Sequence, residues 1–183
     1  MLRSCVRLVR ERGPAAVSIE GVARAAGVGK QTIYRWWPTR GALLVDAMAS
    51  GRDQVDLVLP DTGDLEADLR TVLTAVVGVL RSSDGAVLAG VLGEMQHDAQ
   101  LRAAFDRAIF EPVRARYRTR LTTARQQGDA PAWTDDDTIL DLAFGPLWFR
   151  LLTRPDQLDE TFAHDIASLV GAALSAAVGR SRP

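Results

Sequence analysis

Apolar residues recur at intervals of three and four positions along most of the chain. Such intervals place side chains on one face of an α-helix, whereas a half-buried β-strand needs apolar and polar residues in strict alternation. No stretch of the sequence shows that alternation with β-branched residues. The pattern therefore predicts an all-α protein, with short helices at the N-terminus and longer ones after them.

Glycine, proline and small polar residues divide the first fifty residues into four predicted helices. Gly13 and Pro14 end the first helix, because proline cannot continue the pattern. A turn at residues 26–28 separates the second helix from the third, and Gly27 suits the left-handed conformation that often ends a helix. The second, third and fourth helices are predicted to run from the cap Ser18 to about Ala25, from Gly29 to Trp37, and from the cap Thr39 to roughly Leu59.

A polar loop at residues 61–64 is a candidate domain boundary. It predicts an N-terminal domain of residues 1–48, with a connecting helix to about residue 59, and a second helical domain of residues 60–183. Pro112 is expected to kink a long helix over residues 98–127, because proline removes one backbone hydrogen bond. Three aspartates at 135–137 lie where a helix N-terminus favours negative charge, and a cap is favoured there over a metal site. A final helix is predicted over residues 159–178.

The second and third helices predict a helix-turn-helix, a unit whose second helix can lie in the major groove of DNA. Their apolar residues form one shared core, so the opposite face of the third helix is left to solvent. Lysine and arginine can donate to guanine, glutamine can pair with adenine, and a threonine methyl can contact thymine. The exposed face is predicted to carry Lys30, Gln31, Thr32, Arg35 and Trp36.

Charge is distributed unevenly along the 183 residues, although the formal net charge is only −1. Residues 1–50 carry eight basic and three acidic side chains, a net charge of +5. The remaining 133 residues carry 14 basic and 20 acidic side chains, a net charge of −6. A basic N-terminal part on an acidic remainder indicates that the N-terminal part meets a polyanion.

Other classes of protein fit the composition poorly. A lone Cys5 can form no disulfide within the chain, and His97 and His164 show no zinc-ligand spacing. The longest late uncharged run, residues 166–179, has 14 residues and falls short of the roughly 20 that a membrane span needs. Arginines interrupt the N-terminus too often for a signal peptide. We therefore expect a cytoplasmic protein that is not an enzyme and has no cofactor, metal or membrane partner.

Residues 25–44, Ala-Ala-Gly-Val-Gly-Lys-Gln-Thr-Ile-Tyr-Arg-Trp-Trp-Pro-Thr-Arg-Gly-Ala-Leu-Leu, closely resemble the DNA-binding signature of the TetR family of bacterial transcriptional regulators. The resemblance covers roughly residues 2–48, and residues 144–152 are similar to a helix in the regulatory domain of one subgroup. Two positions depart from the family pattern. Gly29 replaces a serine or threonine at the start of the recognition helix, and Arg40 stands where lysine is usual.

The resemblance implies roles for individual residues in this segment. Tyr34, Arg40 and Ser18 would hold backbone phosphates, and Trp37 would belong to the core. Trp36 either faces DNA, which we favour, or packs against the first helix. Phosphate contacts set the register, while base contacts specify the sequence. The implied DNA-binding set is Ser18, Lys30, Gln31, Thr32, Tyr34, Arg35, Trp36, Thr39 and Arg40.

The resemblance also implies a ligand cavity and a homodimer in the second domain. Gly145 and Pro146 are expected to open the helix locally and leave space beside Trp148. Core packing alone predicts much of the same aromatic pattern. The implied ligand residues are Met95, His97, Phe105, Phe110, Tyr117, Phe144, Trp148 and Phe149. The last two helices are the predicted dimer surface, and its stripe of apolar residues is Phe162, Ile166, Leu169, Val170, Ala173, Leu174 and Ala177.

The expected function is that of a ligand-responsive regulator. As implied by the resemblance, it would act as a repressor that binds a palindromic double-stranded DNA operator as a homodimer and is released by an unknown small-molecule inducer. The alternative is a helical small-molecule-binding protein without DNA-binding activity, which Gly29 makes conceivable.

Overall fold

A computed structural model describes residues 1–13, 16–51 and 59–180 of the chain. These residues form α-helices without a β-strand, which confirms the predicted all-α class. The predicted extension of the fourth helix towards Leu59 falls largely outside the described residues. The helices are α1 (Leu2–Arg12), α2 (Ile19–Ala26), α3 (Lys30–Tyr34), α4 (Arg40–Gly51), α5 (Leu65–Leu80), α6 (Ser83–Glu94), α7 (Ala99–Phe105), α8 (Glu111–Gln127), α9 (Asp136–Thr153) and α10 (Glu160–Arg180).

The chain divides into two compact units that interleave along the sequence. The first unit comprises Met1–Asp56 and Val79–Pro112, and the second comprises Leu57–Gly78 and Val113–Pro183. α6 and α7 thus lie in the same compact unit as the N-terminal helices, and the division into domains of residues 1–48 and 60–183 stays a prediction. Periodicity along a chain shows where helices form, but it does not show which of them share a core.

The first unit has its core around α4. This helix packs against α1, α6 and α7, and its inner residues Leu43, Leu44 and Val45 are almost fully buried. Cys5 of α1 lies in the same unit with no exposed surface, and burial raises the pKa of its thiol to about 11. The free cysteine is therefore protonated at neutral pH and serves as a small apolar core residue.

Where a kink is predicted at Pro112, the structure has a wider helical turn just before the proline. α7 ends at Phe105, residues 106–110 form a π-helical turn, and α8 begins at Glu111. The Glu111 N–H donates to the carbonyl of Asp106, five residues earlier. Proline has no N–H and its ring crowds the preceding turn, so the sequence correctly places the interruption beside it.

The second unit contains a buried ion pair between α5 and α8. Asp68 and Arg120 are 1% and 4% exposed, and the Arg120 Nη2 atom lies 2.8 Å from Asp68 Oδ2. Thr62 also donates to Asp68 through its hydroxyl at 2.7 Å, and Arg120 Nε donates to the Pro60 carbonyl at 3.1 Å. The pair therefore joins the loop before α5 to two helices of the core.

α9 continues as one helix through Pro146, so the expected local opening does not break it. Pro146 costs one backbone hydrogen bond, but Ala143, Leu147 and Leu151 keep the inner face of the helix buried on both sides of it. At the start of α9, the Asp135 carboxylate accepts the Thr138 hydroxyl at 2.5 Å and the Thr138 N–H at 2.9 Å, and these hydrogen bonds lower its pKa. The predicted cap is confirmed, and the described residues contain no cluster suited to a metal ion.

α10 contains one stretch, Glu160–Gly179, that is long and apolar enough to span a membrane. Its mean hydropathy is 1.4, and 33% of it is buried inside the fold. The uncharged run of residues 166–179 is shorter than this stretch, because Asp165 and Arg180 flank it. A core helix of a soluble protein has the same properties, so this stretch alone defines no membrane span.

Candidate nucleic-acid interface

α2 and α3 form the predicted helix-turn-helix, joined by a three-residue turn. The Ser18 hydroxyl accepts the Gly21 N–H at 3.0 Å and so caps α2. Gly27 has a φ of +67°, and the Val28 N–H donates to the Ala23 carbonyl at 3.0 Å. A left-handed residue followed by this hydrogen bond closes the helix as the sequence predicts.

α3 is shorter than predicted. It covers Lys30–Tyr34, and the next two residues form a turn, whereas the pattern predicts a helix to Trp37. Trp37 precedes Pro38, and proline disfavours the helical conformation in the residue before it. The Trp37 N–H still donates to the Ile33 carbonyl at 2.8 Å, so the turn remains attached to the helix.

The face of α3 predicted to contact bases is open to solvent. Ile33 has no exposed surface, whereas Tyr34 is 45% exposed and Trp36 is 66% exposed. Such exposure favours the DNA-facing alternative for Trp36 over packing against α1. The exposed side chains of this segment are Lys30, Gln31, Thr32, Tyr34, Arg35 and Trp36.

The segment after α3 is fixed by contacts to α4. Trp37 is buried, as expected, and its indole N–H donates to Asp46 at 2.7 Å. The Thr39 hydroxyl accepts the Ala42 N–H at 3.1 Å, which makes Thr39 the predicted cap of α4. These contacts hold the start of α4 in a defined position after the recognition helix.

Arg40, the first residue of α4, is already engaged by two acceptors. Its Nε donates to the Val17 carbonyl at 2.7 Å, and its Nη1 forms an ion pair with the carboxylate of Glu94 at the end of α6. The side chains of Arg40 and Glu94 are 30% and 42% exposed. Sequence reasoning missed Glu94, because it lies 54 positions away and belongs to no local pattern with Arg40.

A groove of about 160 Å³ lies between α1 and α2, beside Ser18. Arg12 and Arg24 both line it, and the lining residues that the structure describes include no carboxylate. Sequence reasoning also missed these two arginines as site residues, although they contribute to the +5 charge of the first fifty residues. The groove adds two cations to the surface around the helix-turn-helix.

The structure divides the eight predicted ligand residues between the two compact units. In the first unit Phe105 is buried and lies edge-on to Phe110, with ring centroids 4.9 Å apart. In the second unit Tyr117 is buried and stacks on Phe144 at 5.1 Å. Met95 and Trp148 are half-buried, whereas His97 and Phe149 are exposed.

Four of the seven residues in the predicted dimer stripe on α10 are turned inward. These four lie at intervals of three and four and pack into the core of their own protomer: Ile166, Val170, Leu174 and Ala177. Leu169 is 67% exposed, Ala173 is also exposed, and Phe162 lies under the Arg150 guanidinium at 3.3 Å. α9 also exposes apolar residues: Leu142 and Leu152, which belong to no predicted site, and Phe149, which is among the implied ligand residues.

A short helix that exposes basic and amide side chains, held by one buried isoleucine behind a capped partner helix, defines a helix-turn-helix DNA-binding protein. Two family descriptions match the chain: "Bacterial regulatory proteins, tetR family" over residues 2–47, and "Tetracyclin repressor-like, C-terminal domain" over residues 59–170. The chain belongs to the TetR family and is a DNA-binding transcriptional regulator. The resemblance seen in residues 25–44 is confirmed.

Relatives and solved structures agree with this assignment. The HTH-type transcriptional regulator YdeS of Bacillus subtilis is 30% identical over 91% of this chain and 83% of its own length. The DNA-binding transcriptional repressor TetR of Mycobacteroides abscessus is 33% identical over 79% of this chain and 76% of its own length. The crystal structure of the TetR family transcription regulator SCO0332 has a TM-score of 0.81 and 32% identity, covering 93% of this chain and 94% of its own.

Proposed function

We propose that this regulator is a cytoplasmic repressor that binds a palindromic operator as a homodimer and is released by a small-molecule inducer. Repression is supported by the similarity to the M. abscessus protein, which is named a repressor. The observation that carries the DNA-binding part is the surface of α3, which buries Ile33 and exposes the other four side chains of the helix.

The exposed residues divide into two kinds of DNA contact. Lys30, Gln31, Thr32 and Arg35 are proposed to contact base edges, with Trp36 beside them in the major groove. Tyr34, Ser18, Thr39 and Arg40 are proposed to bind backbone phosphates, which fix the register of the recognition helix. Arg12 and Arg24 would extend the phosphate contacts along the groove beside Ser18.

The dimer is proposed to form through the outer faces of α9 and α10. Leu142, Phe149 and Leu152 are 54%, 58% and 54% exposed, at intervals of seven and three, and Leu169 is 67% exposed. Exposed alanines of α10, including Ala173, allow a close helix approach. Two helices from each subunit then make a four-helix interface. Two recognition helices would enter successive major grooves about 34–36 Å apart, which requires an operator with two-fold symmetry.

The inducer is proposed to bind among buried aromatic residues and to act by population shift. A ligand lowers DNA affinity only by as much as it prefers the form that does not bind DNA. Phe105 with Phe110, and Tyr117 with Phe144, offer apolar aromatic surface with few charges. An apolar or aromatic small molecule fits these side chains best.

Fluorescence anisotropy with DNA from upstream of the protein's own coding sequence tests the proposal. Binding should weaken linearly with the logarithm of salt concentration, because phosphate contacts release counterions. Gln31→Ala should change the preference at one base position by about 1–3 kcal/mol, whereas Tyr34→Phe should weaken binding to all sequences alike. The absence of any salt-sensitive complex would contradict the proposed repressor function.

That result would favour the second candidate, a helical small-molecule-binding protein without DNA-binding activity. The observation in its favour is Gly29, which precedes α3 and provides no side-chain cap.

A further inference from the structure

The start of α4 is held by residues that lie far away in the sequence. Arg40 donates through Nε to the Val17 carbonyl and through Nη1 to Glu94, the last residue of α6. All of these atoms belong to the first compact unit. The guanidinium of Arg40, which is proposed to bind a DNA phosphate, therefore already pairs with a carboxylate of the same chain.

The neighbouring residue shows how closely α4 approaches this partner. A Cβ atom at Gly41 would lie 2.7 Å from Leu101 Cδ2 and 3.2 Å from Glu94 Oε2. Both distances are shorter than ordinary van der Waals contact, so the glycine allows α6 and α7 to pack against the first turn of α4. Glu94 is thus positioned at Arg40 by backbone packing as well as by charge.

We propose that Glu94 competes with a DNA phosphate for the guanidinium of Arg40 and thereby lowers the DNA affinity of the free regulator. Carboxylates and phosphates both accept the planar fork of N–H donors that arginine presents. The Val17 carbonyl accepts from Nε and the Glu94 carboxylate accepts from Nη1, so a phosphate that binds the same Nη1 hydrogen must share or displace the Glu94 contact. Glu94 also cancels the positive charge that attracts the phosphate. This inference rests on the proposed role of Arg40 as a phosphate contact.

The size of the effect follows from the exposure of the pair. Both side chains are partly exposed, and exposed ion pairs contribute little net free energy because water screens them. Replacing Glu94 by glutamine keeps the shape of the side chain and removes its charge. Glu94→Gln is therefore expected to tighten operator binding by up to about fivefold. The slope of the logarithm of the binding constant against the logarithm of salt concentration should become steeper by up to about 0.9. This change corresponds to one more neutralised phosphate.

The decisive control is a double-mutant cycle with Arg40→Ala. If Glu94 acts by competing for Arg40, the gain from Glu94→Gln should disappear in the Arg40→Ala background. If Glu94 acts only as a negative charge near DNA, the gain should persist there. Glu11→Gln, an exposed acid on α1, measures the general effect of removing one charge from the same unit. The circular dichroism spectrum of every variant should match that of the wild type, which shows that each variant is folded.

The outcomes separate this inference from the proposed function. Tighter binding by Glu94→Gln that depends on Arg40 supports the competition. Weaker binding by Glu94→Gln would show that Glu94 orients Arg40 for DNA, and an equal gain in both backgrounds would show a general charge effect; either result overturns the inference while the wild type still binds DNA. A wild type that forms no salt-sensitive complex overturns the proposed function and this inference together.

Discussion

Ile33 is the one residue of α3 that is fully buried, so it is the position where the recognition helix is most vulnerable. Truncation of a buried isoleucine to alanine costs about 2–5 kcal/mol, whereas Ile→Val costs about 0.5–1.5 kcal/mol. A five-residue helix has no stability of its own and depends on tertiary packing. We therefore expect Ile33→Ala to detach α3 and to weaken operator binding at least about tenfold, which corresponds to 1.4 kcal/mol.

Anisotropy titrations on operator DNA, with thermal melting in parallel, measure both consequences. Ile33→Val should lose much less affinity than Ile33→Ala, because it removes one methyl group and leaves the side chain packed. Gln31→Ala, on the exposed face of the same helix, should alter base preference and leave the melting temperature unchanged. If Ile33→Ala binds operator as tightly as the wild type and melts at the same temperature, the anchoring role assigned to Ile33 is wrong.

Three further changes test other parts of the molecule. Arg24→Ala should weaken binding to operator and random DNA alike, and should reduce the dependence of log binding constant on log salt concentration by about 0.9. An equal change from Arg3→Ala, on the surface of α1, would contradict a specific phosphate contact in the groove. Phe149→Asp should convert the dimer to a monomer in light scattering, and an unchanged mass would refute the proposed interface. Asp68→Ala should lower the free energy of unfolding by about 1.5–3 kcal/mol in denaturant titrations, because Arg120 loses its buried partner and keeps the more exposed Asp61 carboxylate. Asp141→Ala, at an exposed pair, should stay within about 0.5 kcal/mol of the wild type, and an equal loss from both variants would contradict the importance of burial.

The sequence predicted the helix-turn-helix well because its determinants are local. Ser18 caps α2 through a residue three positions away, and Gly27 closes that helix with a left-handed turn. Thr39 caps α4 in the same way. Each of these features depends on residues within five positions of one another, and their geometry follows from backbone chemistry. The contact between Arg40 and Glu94 depends on how α6 packs against α4, which no local pattern contains.

The outward face of α10 shows a second limit of sequence reasoning. Residues at intervals of three and four on this helix all satisfy the pattern of an amphipathic face, but the pattern does not say whether that face meets the protomer's own core or a partner. Ile166 and Val170 pack inward, whereas Leu169, between them in sequence, is mostly exposed. On α9, Phe149 is among the residues that the family resemblance implies for a ligand cavity, yet its side chain is 58% exposed. Only the packing of the two helices distinguishes these roles.

The grouping of helices also changes what the uneven charge means for DNA binding. Divided along the sequence, residues 1–50 carry a net charge of +5. Divided by compact unit, the unit that contains the helix-turn-helix has 12 basic and 10 acidic side chains, a net charge of +2, and the other unit has 10 and 13, a net charge of −3. α6 contributes two acids to the DNA-binding unit, Asp84 and Glu94, and Glu94 is placed against Arg40. Attraction to phosphate therefore depends on which cations remain accessible on the surface, more than on the total charge of the first fifty residues.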